Sequence, residues 1–174
     1  MRTIEDLTPP VPRPQRAPLP FRVGLVPGLV AAVTMFSMLA IVAVASGASP
    51  WQPMRVVALP FLGHGALDGG PGPTVLGLAV HLVVGTLLGG VFTRVVGRMR
   101  RRRQLGVGLF YALSLWLVAQ YVVLPMLVPP EAVQMGTLWS FFMGHLGYGL
   151  MLGASVPSFD DIDAPAGPDE GITA

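Results

Sequence analysis

Two segments decide the fold of this chain: HLVVGTLLGG at residues 81–90 and HLGYGLMLGA at residues 145–154. Both read H-L-x-x-G-x-x-L-G followed by a small residue, and neither contains an aspartate, glutamate, lysine or arginine. At helical spacing, the histidine and the glycines four and eight residues later share one face. The pattern predicts two helices that meet on an axis of pseudo-symmetry. Their helix-packing glycines are Gly85, Gly89, Gly149 and Gly153.

The composition is typical of a membrane protein. Of the 174 residues, 52% are hydrophobic and only 11% are charged, whereas soluble domains carry roughly 25% charged residues. About 20 predominantly apolar residues suffice for a helix to cross the hydrocarbon core. The sequence therefore predicts an all-α integral membrane four-helix bundle at residues 23–157. Its spans are expected near 23–46, 73–97, 105–129 and 136–157.

The segments outside the spans are polar or short. Residues 1–22 are rich in proline and arginine, which predicts an extended cytoplasmic arm. Residues 158–174 contain five acidic side chains and predict a solvated cytoplasmic tail. Residues 51–62 are too few to cross the membrane, and their Trp51 and Arg55 are typical of a segment that lies at the membrane interface.

A cluster of arginines lies between the second and third predicted spans. Because cytoplasmic loops are enriched in basic residues, this loop and both termini are predicted to be cytoplasmic. An arginine run also suits RNA or anionic lipid. Its position between two spans favours the topological interpretation, so no nucleic-acid partner is expected. The cluster consists of Arg98, Arg100, Arg101, Arg102 and Arg103.

The first and third spans also resemble each other. Gly28-Leu29-x-x-Ala32-x-Thr34 aligns with Gly108-Leu109-x-x-Ala112-x-Ser114. With the two histidine segments, this match predicts two tandem helical-hairpin repeats related by an axis along the membrane normal. Chance similarity among helices rich in leucine and glycine is the alternative. The polar residues expected near mid-membrane are Thr34, Ser114 and Gln120.

The sequence offers little for catalysis. It has no cysteine, so thiolate chemistry and disulfides are excluded. We find no nucleophile–base pair, no paired carboxylates within a span and no phosphate-binding loop, so the protein is not expected to be an enzyme. A zinc site would need a third ligand besides the two histidines of the repeated segments, and only His64 remains.

The two histidines of the repeated segments, His81 and His145, are the candidate functional residues, because ionisable groups inside a bilayer are costly. In one interpretation, each bonds across helices while the glycines permit close packing. In a second, both are axial ligands of a haem b on facing helices. A third makes them part of a proton or ion path. These alternatives stay open at this point.

Several motifs resemble those of a widespread group of small bacterial membrane proteins whose function is not established. The resemblance covers roughly residues 24–155 and implies four helices in a bacterial inner membrane. It identifies no catalytic residue. The matching motifs are Gly47-x-Ser49-Pro50-Trp51-x-Pro53-x-Arg55, His81-Leu82 with its glycines, Gly108-Leu109 with Pro125, and His145-Leu146-x-Tyr148-Gly149.

We therefore expect a multi-pass protein of the bacterial inner membrane, in contact with the lipid bilayer and with other subunits of a membrane complex. Its expected role is that of a non-catalytic accessory or assembly subunit without a cofactor, within respiratory or photosynthetic electron transfer. The alternatives are a haem-b electron-transfer subunit that uses His81 and His145, and a small transporter or channel.

Overall fold

The structure, a computed structural model, describes residues 19–127 and 137–158. The predicted arm up to residue 18 and the acidic tail from residue 159 lie outside the described residues. So do residues 128–136, where the third predicted span ends and the fourth begins.

The described residues form helices joined by turns. A 3₁₀ turn at Phe21–Gly24 leads into α1, and a second at Gly63–Ala66 follows α2. A π-helical turn at Ala119–Val123 joins α4 to α5. The α-helices are α1 Leu25–Ala45, α2 Gln52–Leu62, α3 Pro71–Val96, α4 Arg101–Val118, α5 Leu124–Leu127 and α6 Thr137–Ser155.

Three helical stretches are long and apolar enough to cross a membrane: Phe21–Ala45, Pro71–Val96 and Arg101–Met126. For the part of the chain that the structure describes, the prediction of an all-helical protein with helices able to cross a membrane is thereby confirmed. The third stretch begins at Arg101, four residues before the predicted span. Three of the clustered arginines therefore belong to the first turn of α4 rather than to a loop.

The ends of α1 follow from its sequence. Pro27 is its third residue, in the first turn, where the missing N–H has no helical partner to lose. At the other end, Gly47 takes φ +76°, a left-handed conformation that glycine adopts without strain. The Gly47 and Ala48 amides then donate to the carbonyls of Val44 and Ala43. This Schellman motif satisfies two carbonyls that the end of the helix leaves unpaired.

The helix α1 lies at the centre of the arrangement. It packs against α3 on one side and against α6 on the other, and α6 in turn packs against α4. The short α2 lies on α3, with Met54 fully buried between them. By contrast, α3 and α4 make only marginal contact, although a four-residue connection joins them. The described helices therefore leave a gap between α3 and α4.

Candidate functional site

The glycines of the first repeated segment hold α3 against α1. A methyl group at Gly89 would collide with the backbone of Gly28, and one at Gly85 would collide with Ala32. A methyl at Gly28 would lie 2.7 Å from the carbonyl oxygen of Thr86. Any side chain at these glycines would push the two backbones apart, so α1 and α3 are in direct backbone contact.

The glycines of the second segment do the same between α6 and α4. A methyl at Gly153 would lie 2.7 Å from the Gln104 carbonyl oxygen, and one at Gly149 would lie 2.7 Å from Ala112 Cβ. The two glycine stripes therefore pack against α1 and α4 and not against each other, contrary to the prediction. Helical periodicity identifies the face that packs, but it does not identify the neighbour, which here is the first helix of the same hairpin.

The gap between α3 and α4 contains a cavity of about 480 Å³. The helix α2 covers one side of it and α6 forms the back. Nearly all of the lining is apolar, and the polar side chains there are His81, His145 and Tyr148. The apolar lining consists mainly of Val56, Val57, Pro60, Phe61, Val80, Val84, Leu88, Leu115, Val118, Ala119, Val123, Leu124 and Phe141.

The structure brings both predicted histidines to this cavity, and each ring has one hydrogen bond to a carbonyl. His81 Nε2 donates to the Ala32 carbonyl oxygen on α1, at 3.0 Å. His145 Nδ1 donates to the Phe141 carbonyl oxygen of its own helix, at 2.7 Å. A carbonyl can only accept, so these two nitrogens carry the protons. In the neutral rings, His81 Nδ1 and His145 Nε2 are then acceptors.

Two tyrosines tie the second hairpin to α3. Tyr148 on α6 donates its hydroxyl to the Gly85 carbonyl oxygen at 2.7 Å, and Tyr111 on α4 donates to the Leu88 carbonyl oxygen at 3.0 Å. These two bonds link α4 and α6 to α3 across the gap. This role was not predicted from the sequence. Tyr148 lies three residues after His145 and therefore on the same helical face, which was the available signal.

The cavity wall on the α4 side includes the π-helical turn. The amide of Leu124 donates to the Ala119 carbonyl, five residues back. Pro125 follows at once and has no amide proton to donate, so it cannot continue regular α-helical bonding to Tyr121. Such widened turns occur frequently at functional sites. Here the turn places Ala119 and Val123 in the lining.

The structure places the three predicted polar residues apart from the cavity. Thr34 Oγ1 donates to the Val30 carbonyl, and Ser114 Oγ donates to the Phe110 carbonyl, each within its own helix. Gln120 is 9% exposed, at the π turn. None of the three belongs to the cavity lining.

The arginine cluster contains one residue with a structural role that we did not predict. Arg101 Nη1 donates to carbonyl oxygens at the end of α6, among them that of Val156 at 2.9 Å. The neighbouring Gln104 donates to the Pro157 carbonyl oxygen at 2.9 Å. A cation at a helix C-terminus satisfies free carbonyls and interacts favourably with the helix dipole. Arg98, Arg100, Arg102 and Arg103 lie at or next to the α3–α4 connection.

The predicted interfacial residues both contact other elements. The ring of Trp51 stacks on Phe36 of α1, with centroids 5.7 Å apart. Arg55 Nε donates to Thr74 Oγ1 at the start of α3, at 3.5 Å. Together these contacts fix α2 across α1 and α3, so that α2 covers the cavity.

The described residues contain no group of three or more histidine, cysteine or acidic side chains that could hold a metal ion. Two imidazoles in one apolar cavity could hold a group that needs two nitrogen ligands, or could accept two hydroxyl hydrogen bonds. Among the described residues, no arginine or lysine lines the cavity. A bound molecule would therefore meet apolar surface and imidazole nitrogen, without a positive side chain to pair with an acid.

Comparison with known proteins identifies a family but no function. The chain belongs to a family of unknown function, DUF6789, whose sequence model matches residues 20–166. No curated protein and no solved structure matches the chain.

Proposed function

We propose that this DUF6789 member is a non-catalytic accessory or assembly subunit of a larger complex in a bacterial inner membrane, one of respiratory or photosynthetic electron transfer. The proposal rests mainly on how small a share of each span is buried within the protein. In the apolar windows of the three spanning stretches, 28%, 28% and 22% of the residues are buried. The remaining surface is free to contact lipid and the helices of other subunits.

The use of the polar side chains supports a scaffolding role. His81, Tyr111 and Tyr148 each donate to a main-chain carbonyl of another helix, and Arg101 donates to the end of α6. These bonds join one helix to another. The described polar residues therefore act mainly in assembly.

In this proposal α6 is the fourth span. Its 19 residues give a length of about 28 Å at 1.5 Å per residue, close to the thickness of the hydrocarbon core. Arg101 joins the start of α4 to the end of α6, and Gly24 and Gly89 join the start of α1 to the end of α3. These four ends therefore lie together, on the side that the arginines assign to the cytoplasm.

The proposed tandem repeat is supported by equivalent contacts. In the first hairpin, Gly28 meets the carbonyl of Gly85 and the backbone of Gly89. In the second, Gly108 meets the carbonyl of Gly149 and the backbone of Gly153. The residues that align in the sequence thus occupy the same contact, which chance similarity between glycine-rich helices does not require.

Photo-crosslinking in membranes of the source cell tests the subunit role. A photoreactive amino acid replaces Ile41, Val75 or Phe110, which are 67%, 64% and 73% exposed on three different helices. We expect one defined adduct with a larger membrane protein from at least one position, and no adduct from at least one other. Lipid adducts alone at all three positions, with a monomer on native gels, would contradict the proposal.

A haem-b electron-transfer subunit is the second candidate, because His81 and His145 line the same cavity. Haem ligation would supply one-electron chemistry. It would require each ring to offer a nitrogen to iron, and because His81 Nε2 is engaged with the Ala32 carbonyl, only its Nδ1 is left for that role. No positive side chain of the described part of the chain lines the cavity to meet the haem propionates. The residues fit this group less well than they fit helix packing.

An absorption spectrum separates the two candidates. The protein is purified in mild detergent and recorded oxidised and then reduced with dithionite. The scaffolding role predicts no haem band. A sharp reduced α band that disappears in both His81→Ala and His145→Ala, but persists in His64→Ala, would instead establish the haem subunit.

A further inference from the structure

We infer that the cavity between α3 and α4 binds a lipid-soluble hydroquinone, whose hydroxyl groups donate to the free nitrogens of His81 and His145. This ligand class goes beyond the proposed subunit role and does not depend on it. The inference combines the access to the cavity, its lining, and the hydrogen-bonding character of its two imidazoles.

Access to the cavity is from the bilayer. The helices α3 and α4 make only marginal contact along the gap. Both belong to stretches long and apolar enough to cross the membrane, and side chains beside the opening, such as Val84 and Val118, are about half exposed. A molecule dissolved in lipid can therefore enter between these helices, whereas a water-soluble ligand would have to cross apolar surface.

The size and lining suit a ring compound with an aliphatic substituent. The volume of about 480 Å³ lies within the range of roughly 300–1,000 Å³ that small-molecule sites span. Gly85 presents bare backbone, and the aromatic side chains of Phe61 and Phe141 line the same space. Flat rings pack well against such surfaces. The valines and leucines of α2, α3 and α4 provide contacts for an alkyl chain.

The two imidazoles determine which polar groups the ligand ring should carry. His81 and His145 each use their N–H on a main-chain carbonyl, so each neutral ring offers only an acceptor. The described lining contains no carboxylate that would hold either ring in its charged form. The Tyr148 hydroxyl, the remaining polar side chain of the lining, already donates to Gly85. A hydroquinone supplies hydroxyl donors, whereas quinone and ester carbonyls would place acceptors against acceptors.

The test compares two redox forms of one probe on the unaltered protein. Decyl-substituted benzohydroquinone and the corresponding quinone are titrated separately by calorimetry into protein in lipid nanodiscs, the hydroquinone under argon. We expect the hydroquinone to bind about tenfold more tightly or better, the equivalent of one to two net hydrogen bonds. Equal affinities, or no binding of either form, would overturn the inference.

Substitutions then locate the site. His145→Phe keeps a ring but removes the acceptor, and should weaken hydroquinone binding about tenfold without changing quinone binding. Because the ring of His145 bonds only within its own helix, the fold should persist. His64→Phe, on the exposed turn after α2, is the control and should bind as wild type does.

Ala119→Phe fills the cavity from the π turn without replacing a histidine, and it should abolish binding of both probe forms. Hydroquinone binding that survives Ala119→Phe, or that is unchanged in His145→Phe, would overturn the inference. A negative crosslinking result with unchanged hydroquinone binding would instead remove only the proposed subunit role.

Discussion

At the scale of single residues, the glycines decide how closely the helices approach. We predict that Gly89→Ala and Gly153→Ala will each destabilise the protein by about 1–3 kcal/mol, the usual cost of overpacking. A methyl at either position meets the backbone of the facing helix, which cannot move aside as a side chain could. Thermal unfolding in detergent, followed by circular dichroism, measures the effect.

Gly106→Ala is the matched control for these two variants. Gly106 lies within α4, and a methyl group there would meet nothing within 4 Å. Alanine is favoured over glycine inside a helix by about 0.5–1 kcal/mol, so this variant should be slightly stabilised. If Gly89→Ala or Gly153→Ala unfolded at or above the wild-type temperature, the close backbone contacts described above would be wrong.

The same glycines show which features of the packing can be predicted from the sequence alone. The spacing of His81, Gly85 and Gly89 predicts a packing face, because period 3.6 follows from local geometry. The facing helix depends on tertiary arrangement, which a single helix pattern does not contain. The cavity was missed for that reason. Its lining comes from all six described α-helices and the π-helical turn. The aliphatic residues that provide most of it look like ordinary membrane-span residues in the sequence.

At the scale of elements, Arg101 connects the start of α4 to the end of α6. We predict that Arg101→Ala will lower stability by about 1.5 kcal/mol, near the lower end for hydrogen bonds to charged groups, because the guanidinium is partly exposed. The loss should be confined to the last turn of α6. Hydrogen exchange of the amides in that turn, measured by mass spectrometry, should accelerate.

Arg102→Ala provides the control, since Arg102 is exposed and one residue away in the same cluster. It removes an equal charge from the same membrane side, and it should leave exchange in α6 unchanged. Equal effects of the two substitutions would assign the role to the charge of the cluster instead of to the Arg101 bonds. The sequence showed the cluster and predicted a cytoplasmic side for it, but positive-inside counting treats its members alike and could not single out Arg101.

At the scale of the whole molecule, the two hairpins have equivalent internal contacts but unequal contacts with each other. The helix α1 packs closely on α6, whereas the pair that the repeat would make equivalent, α4 and α3, is nearly separate. A strict two-fold arrangement would close both interfaces. The extra helix α2, present in the first hairpin, packs on α3 beside the gap. If the proposed repeat is right, the cavity lies where its two halves depart from symmetry.

The last prediction concerns the proposed topology. It is directly testable, because the 174 residues contain no cysteine and each introduced cysteine is therefore the only one. Single cysteines replace Gly65 after α2, Arg102 in the first turn of α4, and Ser155 at the end of α6, all three exposed. With four spans, a membrane-impermeant maleimide added to spheroplasts should label Gly65→Cys alone. The other two should react only after the membrane is opened. Labelling of Ser155→Cys from outside while Arg102→Cys stays protected would leave three crossings. Because the Arg101 bonds hold the start of α4 and the end of α6 together, that result would also contradict the packing of α6.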